Sequence, residues 1–280
     1  MRAAAIVSEP RGVELRRRLS TPRTGGLLVL ATVILLLPLL LSNNYYYEIA
    51  ILVALNAIVC VGLNLLIGYA GQISLGHAGF FALGGYGSAI LSAQHGWPTW
   101  LSMTASCAAV GLLAFVVGRP TLRLKGHYLA MATLGLGIII SIVLTTEDRL
   151  TGGPDGMSVP ALGLFGAVLR GEQTWYWVVG AALLLAVWLA LNLVESPTGR
   201  ALRALHGSEV AAETLGIDSA RFKLQVFVIS AVFPAVAGAR TAHYAGLITP
   251  ARSCTGSRPG PWSSPAARRP APARSSARSC

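Results

Sequence analysis

The sequence predicts an all-α polytopic bundle of membrane-spanning helices, about seven in number. Three observations carry that reading. Hydrophobic residues make up 54% of the 280 and charged residues only 12%, where a soluble domain carries roughly a quarter charged. Apolar runs recur at close to the ~20 residues that a helix needs to cross a hydrocarbon core. Between the runs the loops alternate between basic and acidic, as the positive-inside rule requires. Roughly six to eight such spans with short loops use up the length, so no large soluble domain fits beside them.

Residues 1–25 form a basic segment, with Arg2, Arg11, Arg16, Arg17, Arg18 and Arg23 against Glu9 and Glu14. The apolar run 26–42 follows. Its basic flank is long for a signal peptide, and Asn43-Asn44-Tyr45-Tyr46-Tyr47 replaces a small-residue cleavage site. It therefore reads as an uncleaved first span with a cytoplasmic N-terminus, closed by an interfacial tyrosine cluster. Further spans are expected at 49–68, 78–92, 99–118, 128–146, 174–194 and 224–244. On this count the stretch 119–127, with Arg119, Arg123 and Lys125, lies inside, as does 195–223, with Arg200, Arg203, Arg221 and Lys223. The stretch 147–173 lies outside and carries Glu147, Asp148, Asp155 and Glu172 against Arg149 and Arg170. Residues 26–250 thus form one transmembrane unit. The net charge of +11 is the sum of such clusters, and it marks cytoplasmic loops rather than a nucleic-acid surface.

The segment 251–280 breaks the alternation. It holds Arg252, Arg258, Arg268, Arg269, Arg274 and Arg278 with no acid, yet falls on the outer side. Its Ala, Arg, Pro, Ser and Gly composition has no apolar period and cannot bury a core. A basic disordered tail is one reading. A reading-frame shift in GC-rich DNA is the better one, because shifted GC-rich codons yield this mix and a natural tail should not abut a span so abruptly.

Several chemistries are excluded. Cys60 and Cys107 lie in apolar runs and Cys254 and Cys280 in the tail, so neither a disulfide framework nor a metal site has its spacing. No Asp, Glu, Lys or Arg falls within the expected spans before Leu224. Ion-coupled carriers generally need such groups in the membrane, which weighs against a stand-alone secondary carrier. There is no phosphate-binding loop and no zinc-protease motif. The chain calls for no cofactor, and any transport takes its energy from elsewhere.

Two stretches remain distinctive. From Gly68 to Gly87 seven glycines fall within 20 residues. Such density permits close helix packing, and it can break a helix so that backbone lines a cavity at membrane depth. Gln72, Ser74 and His77 are the polar members there and are candidate contacts of a translocation pathway, although a histidine so placed is more often bonded to a neighbour. The stretch 196–218 reads as two short helices. Ser196 and Pro197 start the first and Gly207 stops it; Ser208 caps the second and Gly216 ends it. Ala211 and Ala212 are small enough to let a partner approach closely; a solvated connector is the alternative.

In these residues the chain resembles the inner-membrane permease subunits of branched-chain amino acid ABC transporters, the LivM type in particular. The matching pieces are 62–87, Thr151-Gly152-Gly153-Pro154-Asp155-Gly156-Met157, Glu195-Ser196-Pro197-Thr198-Gly199-Arg200-Ala201 and 238–250, and they cover about 56–250. The family's cytoplasmic loop carries Glu-Ala-Ala-x-x-x-Gly, a coupling helix that seats in the ATPase. Here Val210-Ala211-Ala212-x-x-x-Gly216 has that spacing, with Val for Glu and Glu209 one position earlier. The resemblance implies coupling by Glu209, Val210, Ala211, Ala212 and Gly216, and a pathway near Gln72, Ser74 and His77. It implies a bacterial inner-membrane subunit, not an enzyme. The expected partners are a homologous second permease, two cytoplasmic ATP-binding subunits and an extracytoplasmic binding protein. Leu, Ile or Val would pass inward by alternating access. Urea or another amino acid or amide is the alternative cargo, and a non-functional truncated product is the alternative fate. Two departures stand out. Arg240 and Thr241 fall where the family is apolar, and an Arg at membrane depth costs about 2.5–3.5 kcal/mol. The family also continues with further spans beyond Pro250, where this chain has its Arg/Pro/Ala segment.

Overall fold

The computed structural model describes residues 22–40, 43–122, 124, 126–153, 156–160, 163–164, 167–168, 171–216 and 218–249. Most of the basic N-terminal segment and all of 251–280 lie outside the described residues. The long helices are α1 (Pro22–Leu40), α2 (Asn44–Asn64), α3 (His77–Ala93), α4 (Thr99–Thr121) and α5 (His127–Thr146). After a turn of helix, α6 (Asp148–Thr151), come the two-residue strands β1 (Met157–Ser158), β2 (Gly163–Leu164) and β3 (Ala167–Val168). Then follow α7 (Glu172–Glu195), two short helices α8 (Pro197–Gly207) and α9 (Glu209–Thr214), the long α10 (Ser219–Ala245) and β4 (Leu247–Ile248).

All seven expected apolar runs are helical, but among the described residues only five helices are long and apolar enough to cross a membrane. The first run yields an apolar stretch of just Gly25–Pro38. The third, α3, has 17 residues, a rise of about 26 Å against the ~30 Å core, because its glycines lower its hydropathy and the chain before it is not helical. The long helices also overrun the expected spans, so α2 takes in Glu48 and α7 both Glu172 and Glu195.

Successive long helices alternate in direction. One end of the bundle gathers Tyr47 against Tyr176, with ring centroids 5.7 Å apart, and Gln94, whose Nε2 donates to the Leu150 carbonyl at 3.0 Å. The other end brings Gly118 of α4 beside Leu224 of α10. The axis of the bundle is α10, whose apolar stretch is 56% buried against 28–33% in the other four spans. It packs on α3, α4 and α2, while α2 also meets α7 and α5 flanks α3. Ile51, Leu55, Ile58, Val179 and Leu183 fill the α2–α7 seam; Phe80, Ala114, Val226 and Phe227 fill the α3–α4–α10 seam. Apolar residues on the outward faces, such as Val53, Leu112, Val116, Ile142 and Trp188, are exposed, as a lipid-facing surface requires.

Proline inside a span frees the carbonyl one turn back, and hydrocarbon offers it no water. Pro38 of α1 frees the Ile34 carbonyl, which accepts the Tyr176 hydroxyl at 2.8 Å. That bond ties α7 to α1. At the α3–α10 contact the helices nearly touch. A Cβ on Gly84 would meet the Ala235 backbone and one on Gly238 would meet the Phe81 carbonyl, so neither position admits a side chain.

The end of α10 is latched to the loop after α6. Strand β1 pairs antiparallel with β4, Met157 facing Ile248, and Val159 N donates to the Gly246 carbonyl at 3.0 Å. Beneath lies His243, 3% exposed. Its Nδ1 is 3.0 Å from the Pro160 carbonyl, which only accepts, so Nδ1 carries the hydrogen and Nε2 accepts from the Ser88 hydroxyl at 2.7 Å. His243→Leu leaves the buried Ser88 hydroxyl without its partner and removes the bond to the Pro160 carbonyl. We expect it to destabilise the bundle by about 1–3 kcal/mol, seen as a lowered thermal midpoint and faster amide exchange at Val159; an unchanged midpoint would refute the latch.

Candidate coupling loop and buried polar segment

The two short helices after α7 follow from their caps. Ser196 accepts from Gly199 N at 3.3 Å with Pro197 in the first turn, and Ser208 accepts from Ala211 N at 3.3 Å. The last carbonyls of α7 lack helical partners, and arginines of α8 supply them: Arg200 Nη1 donates to Glu195 O at 3.2 Å and Arg203 Nη2 to Val194 O at 3.1 Å. Leu202 and Leu205 bury the inner face of α8. Asp218 then caps α10 by accepting from Arg221 N at 3.1 Å.

Helix α9 is held on one side and open on the other. Ala212 is buried, and Glu213 Oε1 accepts the Ser219 hydroxyl at 2.6 Å, pinning α9 to the start of α10. Ala211, Glu213, Thr214 and Gly216 are exposed. Leu215, four residues beyond Ala211, is 80% exposed. Residues at that spacing share a helical face, so a small and a large apolar residue sit together in solvent. Gly216 closes the helix with φ +82°. Glu209 and Val210 open α9, and their side chains lie outside the described residues.

The chain between α2 and α3 leaves the helical path while still within the bundle. A π turn, Leu65–Tyr69, widens the end of α2, and Gln72 N closes on the Leu66 carbonyl at 3.2 Å. Such turns often mark functional positions. Residues 71–76 are not helical. Their side chains alternate, with Gln72 and Ser74 buried and Ile73 and Leu75 exposed. The segment rests on α5 through Leu75 N, which donates to Thr133 Oγ1 at 3.1 Å.

This geometry separates the three polar residues that the sequence groups. Ser74 Oγ and His77 Nδ1 are 3.2 Å apart, and the His77 ring meets Phe80 edge-on at 6.2 Å. Gln72 instead lines a cavity of about 270 Å³ with Gly71, Leu205, His206 and Lys223. Gln72 Oε1 and His77 Nε2 are buried without a partner among the described residues. An unsatisfied polar atom in an apolar interior is unfavourable, and both can bond a polar ligand.

The cavity joins the buried segment to α8. Gly71 has φ +64°, and a Cβ there would lie 2.6 Å from His206 Nδ1. His206, in the last turn of α8, therefore seats directly on the backbone at the break before α3. Sequence reasoning singles out the glycine density but not His206. No local pattern joins two residues so far apart in the chain, and only the folded bundle brings them together.

Comparison with known proteins agrees with this architecture. The chain is 32% identical over 189 residues to the high-affinity branched-chain amino acid transport system permease protein LivM of Escherichia coli, covering 59% of this chain and 44% of that protein, with the same values for LivM of Salmonella typhimurium. It is 27% identical over 131 residues to the probable branched-chain amino acid transport permease protein LivM of Methanocaldococcus jannaschii, covering 45% of this chain and 38% of that protein. The chain thus spans less than half the length of the curated relatives it matches. No solved structure matches it. Residues 45–257 match the family described as "Branched-chain amino acid transport system / permease component", and the chain, a multi-pass membrane protein by its helices, belongs to that family.

Proposed function

We propose that this chain is the permease subunit of an ATP-driven importer in the bacterial inner membrane, and that it passes branched-chain amino acids inward. The observation that carries the reading is α9: a capped, two-turn helix fixed on one face and presenting Ala211, Leu215 and Gly216 to solvent on the other. An exposed large apolar residue beside small ones fits a groove on a partner. The partner is a cytoplasmic ATPase, one of two, and a homologous permease and an extracytoplasmic binding protein complete the assembly. The loop 195–218 and the N-terminus face the cytoplasm, in keeping with the basic loops. Glu209, Val210, Ala211, Ala212 and Gly216 form the docking helix. Movement of α9 reaches α8 through their shared turn, and α8 bears on the 71–76 segment through His206 and Gly71. Ser74 and His77 stand next along that path and Gln72 beside it, and the unpartnered Gln72 Oε1 and His77 Nε2 contact the cargo.

The test is co-purification of the chain with the ATPase encoded beside it. Leu215→Asp places a charge in the apolar groove, and we expect more than a tenfold loss of bound ATPase with the membrane level of the chain unchanged. A Leu215→Asp chain that retains its ATPase at the wild-type ratio would sink the coupling role of α9.

A further inference from the structure

Helices α7 and α10 leave a trough between them of about 360 Å³, lined by apolar residues such as Ile58, Leu185, Leu189, Leu193 and Ile229. A second hollow of about 370 Å³ continues it toward the start of α4, with Trp100, Met103, Thr104 and Val178 in its wall. The two share Val236 and Arg240. Arg240 is the charged residue in both linings, and it stands where they join.

The guanidinium is incompletely satisfied. Its Nη1 donates to the Val178 carbonyl at 3.2 Å, while Nε is buried without a partner among the described residues. No carboxylate among the described residues pairs with it. A cation in such a setting calls for an anion, and a guanidinium matches phosphate oxygens with several parallel donors.

Depth decides which anion. Arg240 lies five residues before the end of α10 at Ala245, about 7.5 Å at 1.5 Å per residue. Trp100, two residues into α4, and Trp177, beside Val178, are both exposed, as in the aromatic belt of a membrane interface. From Arg240 the trough runs back along α10 to Ile229, eleven residues or about 16 Å. That is close to half of the ~30 Å core, the depth of one leaflet. A cationic head at belt level with an apolar channel one leaflet deep fits a single lipid, whose phosphate the guanidinium fork matches.

We propose that the α7–α10 trough holds an anionic phospholipid of the leaflet opposite the 195–218 loop, with its phosphate on Arg240 and an acyl chain along Val236 and Leu189. A zwitterionic lipid would bring its own cation to the same apolar site and bind more weakly.

The test uses the full chain in nanodiscs of phosphatidylcholine with one-tenth phosphatidylglycerol, followed by detergent extraction and mass spectrometry of the lipid that stays bound. In wild type the ratio of retained phosphatidylglycerol to phosphatidylcholine should be about tenfold that of the bilayer. Arg240→Leu should remove that enrichment and Arg240→Lys should keep part of it. Val236→Trp fills the trough while leaving the cation, so it serves as the second variant should Arg240→Leu fail to fold, and it should also abolish retention. Equal enrichment in wild type and Val236→Trp would overturn the proposal. So would wild type that retains no lipid but crosslinks from position 236 to a helix of another subunit, which would assign the trough to a protein.

Discussion

Gly238→Val should abolish the folded bundle. The new Cβ would fall inside the van der Waals shell of the Phe81 carbonyl oxygen, with the Phe81 carbonyl carbon at 2.9 Å and Gly85 N at 3.2 Å. These are backbone atoms of α3 and cannot swing aside as a side chain would. The reciprocal contact is as tight, since a Cβ on Gly84 would lie 2.5 Å from Ala235 Cα and 2.7 Å from its carbonyl carbon. The helices must separate, which opens the Phe80–Phe227 contact, now at 5.8 Å between centroids. Overpacking a close-packed interior typically costs about 1–3 kcal/mol, and here two backbones move, so we expect about 3 kcal/mol or more. The measurement is monomer yield and thermal midpoint in detergent, with Gly135→Ala as the control. Nothing lies within 4 Å of a Cβ at Gly135, and alanine favours the helix by about 1 kcal/mol, so that variant should be as stable as wild type or more so. A Gly238→Val chain with an unchanged midpoint would disprove the tight crossing.

The second large effect is at Gly71, where two separable terms act. Its φ of +64° is left-handed, and a non-glycine residue pays roughly 1–2 kcal/mol to hold it, with a β-branched one worse. Its missing Cβ also makes room for the His206 ring. Gly71→Val should therefore displace α8 as well as strain the break before α3, with a lowered thermal midpoint as the readout. Gly71→Asn isolates the contact, because asparagine tolerates this φ yet still carries a Cβ. Adding His206→Ala should restore Gly71→Asn nearly to wild-type stability and restore Gly71→Val only in part. Recovery to the same level in both double variants would show that backbone conformation plays no role there.

The long helices were legible because their apolar runs exceed what any soluble element needs, and the expected 99–118 and 224–244 fall inside α4 and α10. The α8–α9 pair was equally legible, since Ser196, Pro197 and Ser208 signal helix starts by local chemistry alone. What the sequence concealed depends on distant partners. The π turn at Leu65–Tyr69 answers to the packing that follows it. Strands β1 and β4, two residues each, carry too little pattern to be seen before their ends meet. Arg240 read as an anomaly in an apolar span, and only the fold supplies the Val178 carbonyl beside it. Among the pathway candidates, Ser74 and His77 are joined by a bond of the kind that short spacing suggests, whereas Gln72, on the same buried side but nearer the start of the non-helical segment, falls among Leu205, His206 and Lys223 instead.

The α3–α10 crossing also has a consequence for synthesis. Gly84 and Gly238 are about 150 residues apart, and a ribosome adding ~5–20 residues per second needs roughly 8–30 s to cover that distance. Throughout that interval α3, too short and too glycine-rich to hold itself firmly across a bilayer, has no α10 to close its bare face. Its placement must therefore be provisional, sheltered by α4 and α5, which emerge directly after it and pack on its flanks. Helix α10 is thus a late insertion, entering a slot already bounded by helices made well before it.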